Sequence, residues 1–138
     1  MAVGTALMRW LDLYTTGIPS IDRQHEHLTD QLNGLNEAHR AGKGHEVILF
    51  RLDQLIEAVR EHFTAEEALM REKSYPDFDL HKAEHDFLSA QVGQFRQEFA
   101  AGTTDLSDSM MDYLRDWLRD HILVSDRRMS RVITGEKR

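Results

Sequence analysis

Five histidines and two carboxylates, His25, His62, Glu66, His81, His85, His121 and Asp126, are spread over four stretches of chain whose apolar residues recur at helical spacing. In each stretch at least one histidine takes a position that the repeat reserves for a core side chain. A helix that turns imidazole inward must bury it against neighbouring helices. The pattern therefore admits few folds, because all four stretches have to pack around one polar interior.

The inward stripe advances in steps of three and four. It runs through Ile21, His25, Leu28, Leu32 and Leu35 in the first stretch, and through Ile48, Leu52, Leu55, Val59, His62, Glu66 and Leu69 in the second. The third carries Phe78, His81, His85, Leu88, Val92, Phe95 and Phe99, and the fourth Met110, Leu114, Trp117, His121 and Val124. Helix-ending and turn-forming residues separate them at Gly17-Ile18-Pro19, Gly42-Lys43-Gly44, Ser74-Tyr75-Pro76 and Gly102-Thr103-Thr104. Such short breaks predict antiparallel neighbours. The expected fold is all-α, an up-down-up-down four-helix bundle. The 138 residues make one domain: an N-terminal arm over 1–19, the bundle over 20–133 and a tail over 134–138.

Asp126 departs from the stripe. Five residues beyond His121 on a regular helix, it is rotated about 140° around the axis. A second apolar stripe, Leu118, Ile122, Met129 and Ile133, runs beside the first. A single π-type turn between His121 and Asp126 would bring the carboxylate inward, and such turns are frequent at functional sites.

One buried histidine is an ordinary core residue, and His81 with His85 is a common spacing in a chain with eight histidines. The combination is different. Burying several imidazoles with two carboxylates costs several kcal/mol for each unpaired charge, roughly, unless something compensates. A divalent or trivalent metal compensates by coordination. His62 with Glu66, and His81 with His85, are four apart, so each pair projects from one helical face. His27, His39 and His45 fall off the stripes or in turns and are read as solvated. Glu67 and Asp22 flank ligand positions, where they serve either as acceptors for imidazole N–H groups or as surface acids.

With no cysteine in the chain, the metal must be held by nitrogen and oxygen, and the lack of thiols fits the cytoplasm. The net charge of −7 argues against nucleic acid and anionic membrane as partners. No apolar run approaches the roughly 18 residues of a membrane span, and the opening MAVGTALMRWLDLY lacks a basic start before a long apolar run. The expectation is a soluble cytoplasmic protein.

Seven donors exceed the needs of one tetrahedral zinc, and imidazole mixed with carboxylate suits iron. Two octahedral ions offer about 12 positions. Five imidazoles, two bridging carboxylates and a bridging oxygen leave one position open, suited to a small diatomic ligand.

The residues in their order resemble the hemerythrin family, specifically its single-domain bacterial members. The resemblance rests on Trp10, on Ile18 through His25 (IPSIDRQH), on His62 through Glu67 (HFTAEE), on His81 through His85 (HKAEH), and on Trp117 through Ile122 (WLRDHI) with Asp126. It implies reversible O2 binding at two iron ions (Fe2+/Fe3+) joined by an oxo or hydroxo bridge, for oxygen transport, storage or sensing. His81, His85 and His121 would hold the saturated iron, His25 and His62 the iron with the open position, and Glu66 and Asp126 would bridge. Phe63, Trp117, Leu118 and Ile122 match the family's apolar lining of the oxygen pocket. NO and small anions are alternative occupants of the open position.

A binding protein is therefore expected in place of an enzyme. Three other readings compete. HKAEH also fits an inverted zinc-peptidase motif with Glu84 as general base. A ferritin-like oxidase would need Glu-x-x-His on two helices, and no Glu-x-x-His occurs in the chain. Di-iron redox, NO or iron-handling activity, or a sensory role through an unidentified protein partner, completes the set.

Overall fold

The computed structural model describes residues 6–135; the first five residues of the expected arm and the last three of the expected tail lie outside them. Helix α1 spans Pro19–Arg40, α2 His45–Glu72, α3 Phe78–Ala100 and α4 Asp108–Asp120. The last continues through a π-helical turn, His121–Asp126, into α5, Arg127–Thr134, so that α4, the turn and α5 form one fourth rod. No strand occurs among the described residues, and the fold is an all-α four-helix bundle.

Local chemistry sets the ends. Pro19 occupies the first turn of α1, where its missing N–H costs nothing. Asp22 secures the entry to that helix by accepting from Thr16 N and Thr16 Oγ1, both at 2.7 Å. Ser107 caps α4 by accepting from Met110 N at 3.0 Å. Gly102, at φ 78°, takes the left-handed conformation that lets Thr103 N reach back to Glu98 O at 2.9 Å.

The arm lies against α1, with Met8 N donating to Asn33 Oδ1 and Asn33 Nδ2 donating to Met8 O, at 2.9 and 2.7 Å. It buries Met8 and Tyr14 in the main core. That core gathers Leu28, Leu32, Leu52, Leu55, Phe95, Phe99, Met111 and Leu114, among others. A smaller apolar cluster, Met70, Tyr75 and Met129 with Leu69, Phe78 and Ile133 against it, closes the other side. Along α2, α3 and the fourth rod, the inward histidines fall between members of the two clusters. The polar interior is thus sealed by hydrocarbon above and below.

The stripes expected on α1 and α3 are buried or half-buried throughout. On α2 the buried face also takes in Ala58 and Met70, leaving Val59 and Leu69 half-buried. The fourth rod corrects the expected stripe: Val124 is 54% exposed, Met110 and Trp117 are half-buried, and the buried line runs through Met111, Leu114, Leu118 and Ile122 to Met129. The π turn adds a residue to one revolution, and Val124 is the residue it pushes outward.

Candidate metal centre

Four elements supply the site. His25 comes from α1, His62 and Glu66 from successive turns of α2, His81 and His85 from successive turns of α3, and His121 and Asp126 from the two ends of the π turn. None of the seven is more than 3% exposed. The wide turn expected at the end of α4 is present, and it swings Asp126 to full burial at 0%.

The carboxylates each divide their two oxygens between two groups of imidazoles. Glu66 Oε1 lies 3.1, 3.0 and 3.5 Å from Nε2 of His81, His85 and His121, and Glu66 Oε2 lies 3.3 Å from Nε2 of His62. Asp126 Oδ1 lies 2.9 and 3.1 Å from Nε2 of His121 and His81, whereas Oδ2 lies 2.6 and 3.3 Å from Nε2 of His25 and His62. Two overlapping donor sets result: His81, His85 and His121 with both carboxylates, and His25 and His62 with both carboxylates. Within each set one donor atom per residue falls inside 4.8 Å of the others.

Hydrogen bonding alone does not satisfy this arrangement. Glu66 Oε2 and Asp126 Oδ1 are buried and accept no well-directed hydrogen bond, although imidazole nitrogens stand within 3.3 Å of each. His85 Nε2 and His121 Nε2 face each other at 3.3 Å, a contact that two protonated nitrogens could not share without repulsion. Convergent imidazole nitrogens and carboxylate oxygens are what a metal cation binds, and the nitrogen and oxygen donor set fits iron. The electrostatics agree. Burial opposes ionisation of Glu66 and Asp126, yet the surrounding imidazoles hold both well below the usual carboxylate range. Burial likewise opposes the charge on His62 and His81, and the same carboxylates override it, raising each to about 9.

The outer ring nitrogens find unequal partners. His85 Nδ1 faces Glu67 Oε2 at 2.9 Å, and His62 Nδ1 faces Gln24 Oε1 at 2.7 Å. His121 Nδ1 lies 3.4 Å from Glu84 Oε1, which Ser125 Oγ holds at 2.5 Å. Of the two acids flanking the ligand positions, Glu67 takes the role of imidazole acceptor. Asp22 does not, because its carboxylate is committed to Thr16 and Gly17 at the start of α1. Gln24 and Glu84 went unrecognised as partners. Gln24 precedes a ligand position but serves an imidazole on another helix, and Glu84 stands out in the sequence only as the possible base of HKAEH. Facing the outer side of His121, it is turned away from the convergent nitrogens where a peptidase base would have to act.

Phe63 lies flat on His85, with centroids 3.8 Å apart and planes at 5°, and Trp117 on His121 at 4.6 Å and 15°. Leu118 and Ile122 are buried in the main core. His27 is exposed, His39 is half-buried and contacts Asp108 at 2.7 Å, and exposed His45 stacks on Phe99. None of the three joins the centre.

Residues 16–133 match the model of the hemerythrin HHE cation-binding domain. A bacteriohemerythrin of Methylococcus capsulatus is 36% identical over 118 residues, covering 85% of this chain and 89% of the relative. One of Stenotrophomonas maltophilia is 38% identical over 125 residues, 88% and 78% of the two chains. The crystal structure of a wild-type hemerythrin superposes with a TM-score of 0.86 at 34% identity, covering 94% of this chain and 99% of the other. With two donor sets built on shared carboxylates in a matching bundle, this chain belongs to the hemerythrin family.

Proposed function

We propose that this chain binds O2 reversibly at a non-haem di-iron centre held by His25, His62, Glu66, His81, His85, His121 and Asp126, in the service of oxygen transport, storage or sensing. The observation that carries this reading is the division of each carboxylate's oxygens between two unequal groups of imidazoles. Iron held there would supply the electrons for reversible binding of a diatomic ligand.

The residues determine the rest. Glu66 and Asp126 fix the separation of the two positions, because each offers one oxygen to either side. The set with three imidazoles supplies five donors and the set with two supplies four. The second set, one donor short of the first, would be the side able to admit O2, NO or a small anion. Phe63, Trp117, Leu118 and Ile122 bring hydrocarbon and aromatic faces to the site and limit water, which favours release of the ligand unchanged. A histidine-rich set of this kind suits a binding protein over an oxidising enzyme. The cytoplasm fits the lack of cysteine, and among the described residues no helix is long and apolar enough to cross a membrane.

The test is anaerobic reduction of iron-loaded protein followed by cycles of air and argon, with visible absorption and iron content measured together. Two irons per chain and a colour that comes and goes with oxygen are expected. One zinc per chain and no oxygen-dependent colour would overturn the reading.

A further inference from the structure

We propose that the partners of the outer imidazole nitrogens, Glu67 and Glu84 on one side and Gln24 on the other, make the ion held by His81, His85 and His121 the easier of the two to oxidise. The inference rests on the di-iron reading above and concerns how this chain divides the electron load between the two ions.

With iron taken up on Nε2 of each ring, the ring hydrogen would sit on Nδ1, and its acceptor would decide how strong a donor the imidazole is. A carboxylate acceptor pushes electron density into the ring, a neutral amide pushes less, and no acceptor pushes none. On the three-imidazole side, His85 Nδ1 faces Glu67 Oε2 at 2.9 Å, whereas His121 Nδ1 makes no hydrogen bond and has the Glu84 carboxylate only as a charge contact at 3.4 Å. On the two-imidazole side, His62 Nδ1 has the neutral oxygen of Gln24 at 2.7 Å. His25 Nδ1 is buried with no hydrogen-bond partner.

The bridging carboxylates cannot create this inequality, because each offers one oxygen to either side. The third imidazole and the outer carboxylates can. Glu67 has the larger effect: its side chain is 16% exposed, against 42% for Glu84, and its contact is shorter. Water screens Glu84 more strongly. Ser125 Oγ keeps Glu84 on station, so the π turn that brings Asp126 inward also steadies this second contact. Oxidation here is the loss of one electron from one ion to a one-electron acceptor. In the test that acceptor is ferricyanide, which becomes ferrocyanide; no bond forms or breaks, and the Nδ1 proton stays on its ring.

The experiment is an anaerobic redox titration of iron-loaded protein that resolves the first and second electrons removed, with iron counted for every sample. The wild type is compared with Glu67→Gln, Glu84→Gln, Ser125→Ala and Gln24→Glu. Asp86→Asn is the control: that carboxylate neighbours His85 in sequence but pairs with Lys82 at 2.8 Å. Glu67→Gln is expected to shift the first midpoint to more positive potential by more than it shifts the second. Glu84→Gln and Ser125→Ala should follow in the same direction by less. Gln24→Glu should shift the second midpoint to more negative potential while moving the first little. If Glu67→Gln moves the first midpoint no further than Asp86→Asn does, or moves the second more, the inference fails. Should Glu67→Gln weaken iron binding beyond the roughly 10- to 100-fold typical of such partners and arrive empty, Glu84→Gln and Gln24→Glu decide by the same criteria. A wild type that does not take two irons overturns the di-iron reading itself, and that is seen before any variant is compared.

Discussion

Asp126 Oδ2 lies 2.6 Å from His25 Nε2, joining the fourth rod to α1 across 101 residues of sequence. Its other oxygen faces His121 at 2.9 Å. One side chain thus spans both donor sets, as Glu66 does from α2. Asp126→Asn keeps the shape but puts an amide nitrogen where an anionic oxygen stood. Iron retention is expected to fall by more than about 100-fold, beyond the range for outer partners, with helical content preserved. Iron content after dialysis against a chelator, read beside circular dichroism, checks this; full retention of two irons would remove Asp126 from the ligand set.

The π turn gives a second test of that assignment. On a regular helix Asp126 would face about 140° from His121, but with one residue fewer it would stand four positions on, about 40° away. Deleting the exposed Val124 should therefore convert the π turn to α-helix while leaving Asp126 inward and the packing of Met129 in register. The variant is expected to fold, hold two irons and keep its thermal midpoint within a few degrees. A folded deletion variant that lost half or more of its iron would show that the turn itself, and not only the direction of the carboxylate, is needed.

Proton linkage gives the metal-stripped protein a definite pH dependence. Burial opposes the charge on His62 and His81, and the carboxylates of Glu66 and Asp126 raise both from 6.5 to about 9. A pKa raised by folding contributes stability that is complete below 6.5 and is lost as pH rises through about 9. Denaturant midpoints of chelator-stripped protein are expected to fall between pH 6.5 and 9.5, the loss being on the order of a few kcal/mol. Iron displaces the same protons, so iron binding should strengthen over the range in which the stripped fold weakens. A stripped protein whose midpoint rose across this window would contradict the pairing of these imidazoles with the two carboxylates.

The bundle was legible because glycine and proline mark its joints and because imidazoles interrupt an otherwise apolar stripe. Helices α1, α2 and α3 begin and end within a few residues of those marks, and six of the seven inward donors follow helical periodicity. The fourth rod was harder, since a period of 3.6 cannot describe a stretch that contains a π turn. That period points Val124 inward, whereas it stands outward. The partners of the outer nitrogens were legible least. Gln24 serves His62 across 38 residues and Ser125 serves Glu84 across 41, and neither relationship leaves a spacing in the chain. Asp22 and Glu67 look alike in sequence, each an acid beside a ligand position. Only the packing of α2 against α3 gives Glu67 an imidazole, while the loop before α1 takes Asp22.

Leu118 offers a test of the proposed apolar lining. It is 7% exposed and belongs to the main core, as does Ile122 at 1%. A carboxylate at either position, the substitution most certain to bring water in, also carries a burial cost of several kcal/mol, roughly, and endangers the fold. Leu118→Asn is the better probe. It places a neutral amide at the proposed lining, at a cost of about 1–3 kcal/mol, and gives water a partner there. Oxygen-dependent colour is expected to form and then decay faster than in the wild type, with two irons still bound, because water and protons promote loss of the ligand in reduced form. Leu118→Val removes volume without adding a polar group and should decay at nearly the wild-type rate, although it too loses about 1 kcal/mol of stability. Equal decay in both variants would tie oxidation to stability, whereas a fast Leu118→Asn beside a slow Leu118→Val assigns it to polarity at the lining.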